Sequence, residues 1–526
     1  MRLDNPLQRC IPTLFLACSL LFSAALTAQG ERQLFVYASC TQSYGSGGLG
    51  AALAMVGDIN GDGRQDIAVG DPYNNYVSSS LSAGRVLVLS GEDGSVLQTL
   101  SASASRRTGQ TVAWVGDVDN DQIPDVLTAS SATSGGYGGG LQGPTGVTVF
   151  SSATGAVLQS LAIGPDAIIG VGDWNNDQEP DFAIGNGGTL EVYGAASGAL
   201  VTTIATSAVS LASLTDSVSG VRRLAVASAW NVVTTYDHTG AALWSRSGFR
   251  QVASAGDLNG DQIADVIAQQ VSGGAAEVLS GLDGATLLTV PGGSRVVGGV
   301  DLDGDLVPDV AVGDAPNNVF RAYSGQDGSL LFTRRGWLSG EGMGYALAMS
   351  PGVGTPPRPA VIAGSPQLFY CSQDTGAVHA VALAAPGEVD GRVEVLGTGC
   401  NYQFWTIKPF DLQPPAIGRS FSLGLVSEQT SASLWNFHVF GMSNTTYNGM
   451  SLPQPLPSPG LQCDLEVAVE YIAFQGPGGS TLISLTIPVV PAVVGLDLFC
   501  QAIQIDSVPG AWLFQTSPVG QVTIGN

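Results

Sequence analysis

The sequence predicts an all-β protein: a seven-bladed β-propeller followed by a small C-terminal module of β-sandwich or jelly-roll character. Three observations point there. An acidic nine-residue loop recurs five times, and a polar turn recurs seven times. The 526 residues also include 71 glycines but only 12% charged residues, the composition of short strands joined by tight turns.

The first 28 residues read as a secretory signal. Arg2 and Arg9 give a basic start, Cys10 to Leu26 is an apolar run, and Leu-Thr-Ala ends at Ala28 as a small-residue cleavage site. An uncleaved anchor fits less well because small residues precede Gln29 and no charged stop follows. A lipoprotein site at Cys18 fits less well because apolar residues continue beyond it. No later stretch reaches the ~18 uninterrupted apolar residues of a membrane span. The expected mature chain is therefore exported: secreted, cell-surface associated or periplasmic, where disulfides and millimolar calcium are both available. Its formal net charge of −24 disfavours nucleic acid and anionic membranes as partners and favours cations.

The acidic loops begin at Asp58, Asp117, Asp173, Asp257 and Asp301, and each offers oxygen side chains at its positions 1, 3, 5 and 9. Those are Asp58, Asn60, Asp62 and Asp66; Asp117, Asp119, Asp121 and Asp125; Asp173, Asn175, Asp177 and Asp181; Asp257, Asn259, Asp261 and Asp265; and Asp301, Asp303, Asp305 and Asp309. Alternate positions of a curled loop point inward, and carboxylates brought together need a cation. Hard oxygen ligands without His or Cys select calcium or magnesium, and a flexible cage with a bidentate Asp suits calcium. About five calcium ions are the expected cofactors. The position-7 residues Arg64, Ile123, Glu179, Ile263 and Val307 are expected to contribute through their backbone carbonyls.

An EF-hand would need Glu at position 12 and a following helix. Position 12 holds Val69, Thr128, Ile184, Ala268 and Val312, inside short β-branched runs that read as strands. The loops therefore belong to β-hairpins.

The polar turns, such as "SGEDGSVL" at Ser90 and "SGQDGSLLF" at Ser324, number seven, the last at Ser372. Seven turns for five loops imply two units that have lost their ligands. In the fourth unit the ligand slots hold Thr215, Ser217, Ser219 and Arg223, and in the seventh Gly352, Gly354, Pro356 and Ala360. Arg223 is expected to replace the missing cation by pairing with a carboxylate such as Asp216. Each unit then reads strand, loop, strand, hairpin, strand, polar turn, strand. Such a unit cannot bury both faces alone, so the units stack, and seven of them close into a propeller. The segment "RQLFVYAS" before the first unit is expected to lend a strand to blade 7 and fasten the ring.

Taken together, "YGSGGLGAALA", the D-x-N-x-D-x-x-x-D loop and "AVGDP" resemble the FG-GAP repeats of integrin α-subunit propellers and of secreted bacterial FG-GAP/VCBS-type proteins. The resemblance spans residues 32–386. It implies calcium in the five matching loops, on the lower face of the disc.

Residues 390–526 lose the repeat and alternate turns with short strands, which gives the expected C-terminal β-module. After signal removal the cysteines are Cys40, Cys371, Cys400, Cys463 and Cys500. Expected bridges join Cys40 to Cys371, placed in the third strand of blade 7, and Cys400 to Cys463, with Cys500 free.

No enzyme is expected. The three histidines, His238, His379 and His438, lie outside any hydrolase motif, and a carboxylate that holds calcium is not a free general base. The turn "YDHTGAALW" resembles the docking turn of quinoprotein propellers, but only one of seven turns carries the Trp. The reading that remains is a secreted, calcium-stabilised, non-catalytic scaffold for adhesion to a protein or glycan. The alternative is a carbohydrate-binding or accessory module of an extracellular enzyme system. Two long second-to-third-strand segments, residues 71–84 and 130–146, carry the candidate partner residues Tyr73, Asn74, Asn75, Tyr76 and Tyr137.

Overall fold

A computed structural model describes residues 31–38, 48–74, 84–101, 107–130, 146–215, 222–336, 340–367, 369–370, 373–374 and 376–385, and the backbone of strands between 392 and 523. Helix is confined to one 3-10 turn, Ala315–Asn317, among the described residues. No helix among the described residues is long and apolar enough to cross a membrane.

Seven four-stranded antiparallel sheets follow one another. Blade 1 is Ala52–Gly57, Asp66–Asp71, Arg85–Leu89 and Val96–Leu100. Blade 2 starts at Thr111, blade 3 at Ala167, blade 4 at Ala208, blade 5 at Phe249 and blade 6 at Arg295. In these six the spatial order is the chain order. Blade 7 takes Ala346–Val353, Arg358–Ser365 and Ala377–Leu383 from its own segment, and its outer strand is Glu31–Ala38 from the N-terminal end. That strand runs antiparallel to Ala377–Leu383, with Glu31 opposite Leu383 and Ala38 opposite Ala377. The fastening strand thus lies where the sequence puts it.

Second strands such as Asp66–Asp71 are buried along their whole length because neighbouring blades cover both faces. This is why they read as unbroken apolar runs rather than alternating ones. Seven hydrophobic clusters fill the seven gaps between blades. One of them joins Ile67 and Leu87 of blade 1 to Ile362 and Ala380 of blade 7, which completes the ring. The glycine of "AVGDP" has a packing reason: a Cβ on Gly70 would meet the Gly109 carbonyl of blade 2 at 2.0 Å. Gly313 and Gly364 meet the next blade's backbone in the same way, at 2.2 and 2.0 Å.

Blade 7 departs from the expected unit. "SQDTG" does not precede a fourth strand. It falls between the second and third strands, where its Gln373–Asp374 pair with Phe369–Tyr370 in a small hairpin. The third strand is Ala377–Leu383 rather than the segment around Cys371, because the N-terminal strand already occupies the outer position. Residues 1–30, Cys40, Cys371 and Cys400 lie outside the described residues, and with them the signal segment and both expected bridges.

Beyond blade 7 the described backbone is again all strand. Arg392–Leu396, Val519–Thr523, Asp497–Val508, Trp435–Gly441 and Tyr471–Gly476 form one sheet, with Ala511–Thr516 paired to Asp497–Val508. Trp405–Pro409, Ser420–Ser427 and Ser480–Thr486 form another.

Candidate metal centre

All five acidic loops join the first and second strands of a blade, in blades 1, 2, 3, 5 and 6, so they emerge at one end of the disc. The connections between third and fourth strands, which hold the polar turns of blades 1 to 6, emerge at the same end. Each loop curls by taking left-handed backbone at positions 4 and 6. Position 4 is Gly61, Asn120, Asn176, Gly260 or Gly304, with φ between 60° and 86°. Gly and Asn tolerate that conformation best. Position 6 is Gly63, Gln122, Gln178, Gln262 or Leu306, with φ between 68° and 82°.

The curl turns backbone N–H groups inward onto the carboxylates. Asp58 accepts from Gly61 and Asp62 through Oδ1, at 2.7 and 3.1 Å, and from Gly63 through Oδ2 at 2.7 Å. Asp117, Asp173, Asp257 and Asp301 repeat the bond from position 6 at 2.8–2.9 Å. The position-5 carboxylates of Asp62, Asp121, Asp177, Asp261 and Asp305 accept the N–H of position 7, at 2.8–2.9 Å. These bonds orient the oxygens without neutralising them.

The position-9 aspartates are fully buried. Asp66 Oδ2 accepts the Ile59 N–H of its own loop at 2.8 Å, and Oδ1 accepts Gly91 N–H from the polar turn, also at 2.8 Å. Asp125, Asp265 and Asp309 make the same pair of bonds, to Val118 and Ser152, to Leu258 and Gly281, and to Leu302 and Gly325. The two recurring sequence signals are therefore halves of one device, joined through a buried carboxylate. Blade 3 is the exception. Ala195 N–H goes to the Pro180 carbonyl, and buried Asp181 Oδ1 has no hydrogen-bond partner. Burial pushes the carboxyls of Asp125, Asp181 and Asp265 up to about 6 and that of Asp309 up to about 7. Asp66 is raised too, and in all five the neighbouring loop carboxylates add to the shift.

In blades 2 and 6 one oxygen each from Asp117, Asp119 and Asp125, and from Asp301, Asp303 and Asp309, lie within 4.8 Å of one another. The donor set is all oxygen, the set that suits a hard divalent cation. Position 3 is Asn in blades 1, 3 and 5, and its amide donates to the position-5 carboxylate.

In the two blades without the acidic loop, arginines occupy the region. Arg223 Nη1 donates to the Gly281 carbonyl of blade 5 at 3.1 Å, so it ties two blades together. Asp216, its expected partner, lies outside the described residues. In blade 7 the Gly354 carbonyl accepts Arg64 Nε of blade 1 at 2.8 Å. Of the candidate partner residues, Tyr73 and Asn74 follow the second strand of blade 1, at the opposite end from the acidic loops. Asn75, Tyr76 and Tyr137 lie outside the described residues. Asp71 is not part of a loop: it ends a strand, is fully buried, and pairs with Arg85 at 3.0 Å.

The FG-GAP repeat family model matches residues 49–89, the first loop and the three strands around it. Integrin alpha-4 of Xenopus laevis is 34% identical over 88 residues, 16% of this chain and 8% of the relative. Integrin alpha-6 of Gallus gallus is 28% identical over 121 residues, 23% of this chain and 10% of the relative. The chain thus spans no more than 10% of the length of either relative. Among solved structures, BBS1N in complex with ARL6DN, soaked with mercury or with lead, aligns with 68% or 69% of this chain and 98% or 99% of its own. The identity is 10% and the TM-scores are 0.44 and 0.45.

Proposed function

We propose that this chain, an FG-GAP, integrin-like propeller, is a calcium-stabilised, non-catalytic interaction scaffold that works outside the cell. The observation that carries the reading is the convergence of a buried, a half-buried and an exposed carboxylate in blades 2 and 6, in loops whose backbone already points N–H groups at the acidic side chains. Like charges held this close are costly without a cation between them. Asp58, Asn60, Asp62 and Asp66 and their counterparts in blades 2, 3, 5 and 6 would hold the ions, with the position-7 carbonyls completing the shell. Bound calcium would supply structural cross-linking and no reaction.

With the ions at one end of the disc, a partner is free to use the other. The segments after Asp71 and Ser130 emerge there, and Tyr73, Asn74, Asn75, Tyr76 and Tyr137 are the residues we assign to that surface. Melting the purified protein in calcium and in excess chelator tests the stabilising role. A markedly lower Tm after chelation supports it, and an unchanged curve refutes it. Shortening both segments to hairpin length tests the surface: loss of glycan or extracellular-protein binding by a still-folded protein supports the assignment, and full retention refutes it.

A further inference from the structure

We propose that the five loops form two affinity classes, with tight calcium sites in blades 2 and 6, weaker ones in blades 1, 3 and 5, and blade 3 the last to fill. This rests on the calcium reading above and adds an order to it.

The loops differ most at position 3. Asp119 and Asp303 stand where blades 1, 3 and 5 have Asn60, Asn175 and Asn259. Asp and Asn share a shape and differ by one charge. In blades 2 and 6 the extra carboxylate completes the three-oxygen cluster with positions 1 and 9. In the other three the Asn amide donates to Asp62, Asp177 or Asp261 at 3.0, 2.8 and 3.1 Å, which occupies an oxygen of position 5. Calcium affinity of oxygen cages rises with the number of charged ligands and with rigidity.

Blade 3 carries a second handicap. The glycine before the loops of blades 1, 2 and 5 is covered by the position-8 residue of the next blade: Pro124 over Gly57, Pro180 over Gly116 and Pro308 over Gly256. Over Gly172 lies the guanidinium of Arg222 instead, and its Nε donates to the Asp173 carbonyl at 3.1 Å. No carboxylate among the described residues lies within ion-pair distance of Arg222, which is half-buried and so weakly screened. Arg64 of blade 1 is, by contrast, paired with Glu92 at 3.5 Å. Glu179 adds a carboxylate to the blade 3 loop, but it is exposed and its charge is screened by water.

Two tryptophans make the order measurable. Trp114 lies three residues before Asp117 of blade 2, and Trp174 directly follows Asp173 of blade 3. Terbium, a calcium-sized luminescent ion, is titrated into the full calcium-free chain and its variants Trp114→Phe and Trp174→Phe. The luminescence lost in each variant belongs to the corresponding blade. Trp174 Nε1 has no hydrogen-bond partner, so Phe removes no bond there. The Trp114 component should saturate at about tenfold lower terbium than the Trp174 component. Asp119→Asn should move the first component up toward the second, and Arg222→Gln should move the second down. A calcium titration of the unsubstituted protein by calorimetry should show two sites filling before three. Coincident or reversed saturation, with calcium still raising the Tm, overturns the two classes and leaves the calcium reading intact. Absence of both terbium luminescence and calcium stabilisation overturns both.

Discussion

The Oδ1 of Asp66 accepts the backbone N–H of Gly91 at 2.8 Å, across 25 residues and inside the protein. Its Oδ2 holds Ile59 of the acidic loop. One carboxylate therefore binds the loop to the polar turn, and three other blades repeat it. Asp66→Ala leaves two N–H groups without their acceptor, each costing about 1–3 kcal/mol. The loss should persist in excess chelator. Asp62→Ala, which removes a loop oxygen and its Arg64 and Asn60 bonds but not the link, should lose much more stability with calcium present than in chelator. Denaturant melts of both variants with and without chelator check this, and equal behaviour of the two would contradict it.

Ring closure depends on the N-terminal strand. Gln33 accepts a hydrogen bond from Arg334 of blade 6, both residues are buried, and Glu31 lies 3.9 Å from the same guanidinium. Arg334→Ala should destabilise by about 2–4 kcal/mol, as expected for a broken buried network. Removing residues 31–38 should expose the edge of Ala377–Leu383 and promote self-association, since an unpaired edge strand templates pairing. Size-exclusion chromatography reads the outcome, and a monomeric, fully stable truncation would refute it.

Close backbone contact between blades leaves no room for a methyl group at certain glycines. At Gly364 a Cβ would meet the Gly50 carbonyl at 2.0 Å, whereas at Gly352 the nearest atom is the Pro357 Cβ at 3.5 Å. Gly364→Ala should cost about 3 kcal/mol or more and Gly352→Ala less than ~1 kcal/mol. Comparing the two Tm values decides it. Similar losses would show that blade spacing is not set there.

Acid should weaken blade 7. His379 is fully buried in its third strand, and burial, followed by the Arg334 charge, lowers its pKa to about 3. An unfolded histidine takes up its proton near 6.5. The contribution is therefore complete above pH 6.5 and is lost as pH falls from there toward 3. His379→Gln should flatten the fall in stability between pH 6.5 and 4. An unchanged slope would exclude this histidine as the cause.

Most of the ring was legible because each blade repeats the same physical demands. Asp58 and its counterparts mark a curled loop, and the run from Asp66 to Asp71 marks a strand covered on both faces. The link from Asp66 to Gly91 was not legible. Both signals were visible, but nothing in one copy says that a carboxylate in the first reaches an amide in the second. Nor does loss of one announce loss of the other: blade 4 has Arg223 in place of the aspartate, yet keeps a polar turn, "YDHTG". Blade 7 misled for a different reason. "SQDTG" imitates the polar turn, but the strand that would have followed it is supplied by Glu31–Ala38, more than 300 residues earlier in the chain. The arginine contacts depend on how blades adjoin: Arg223 to Gly281 ties consecutive blades 4 and 5, and Arg64 to Gly354 follows from closure of blade 7 onto blade 1.

The central claim is that the five acidic loops hold calcium and that blades 4 and 7 do not. Anomalous scattering from crystals grown in calcium tests it most directly. The account predicts density peaks enclosed by the loops beginning at Asp58, Asp117, Asp173, Asp257 and Asp301, with none beside Arg223 or Gly354. Peaks absent from the loops, or present in blades 4 and 7, would contradict it.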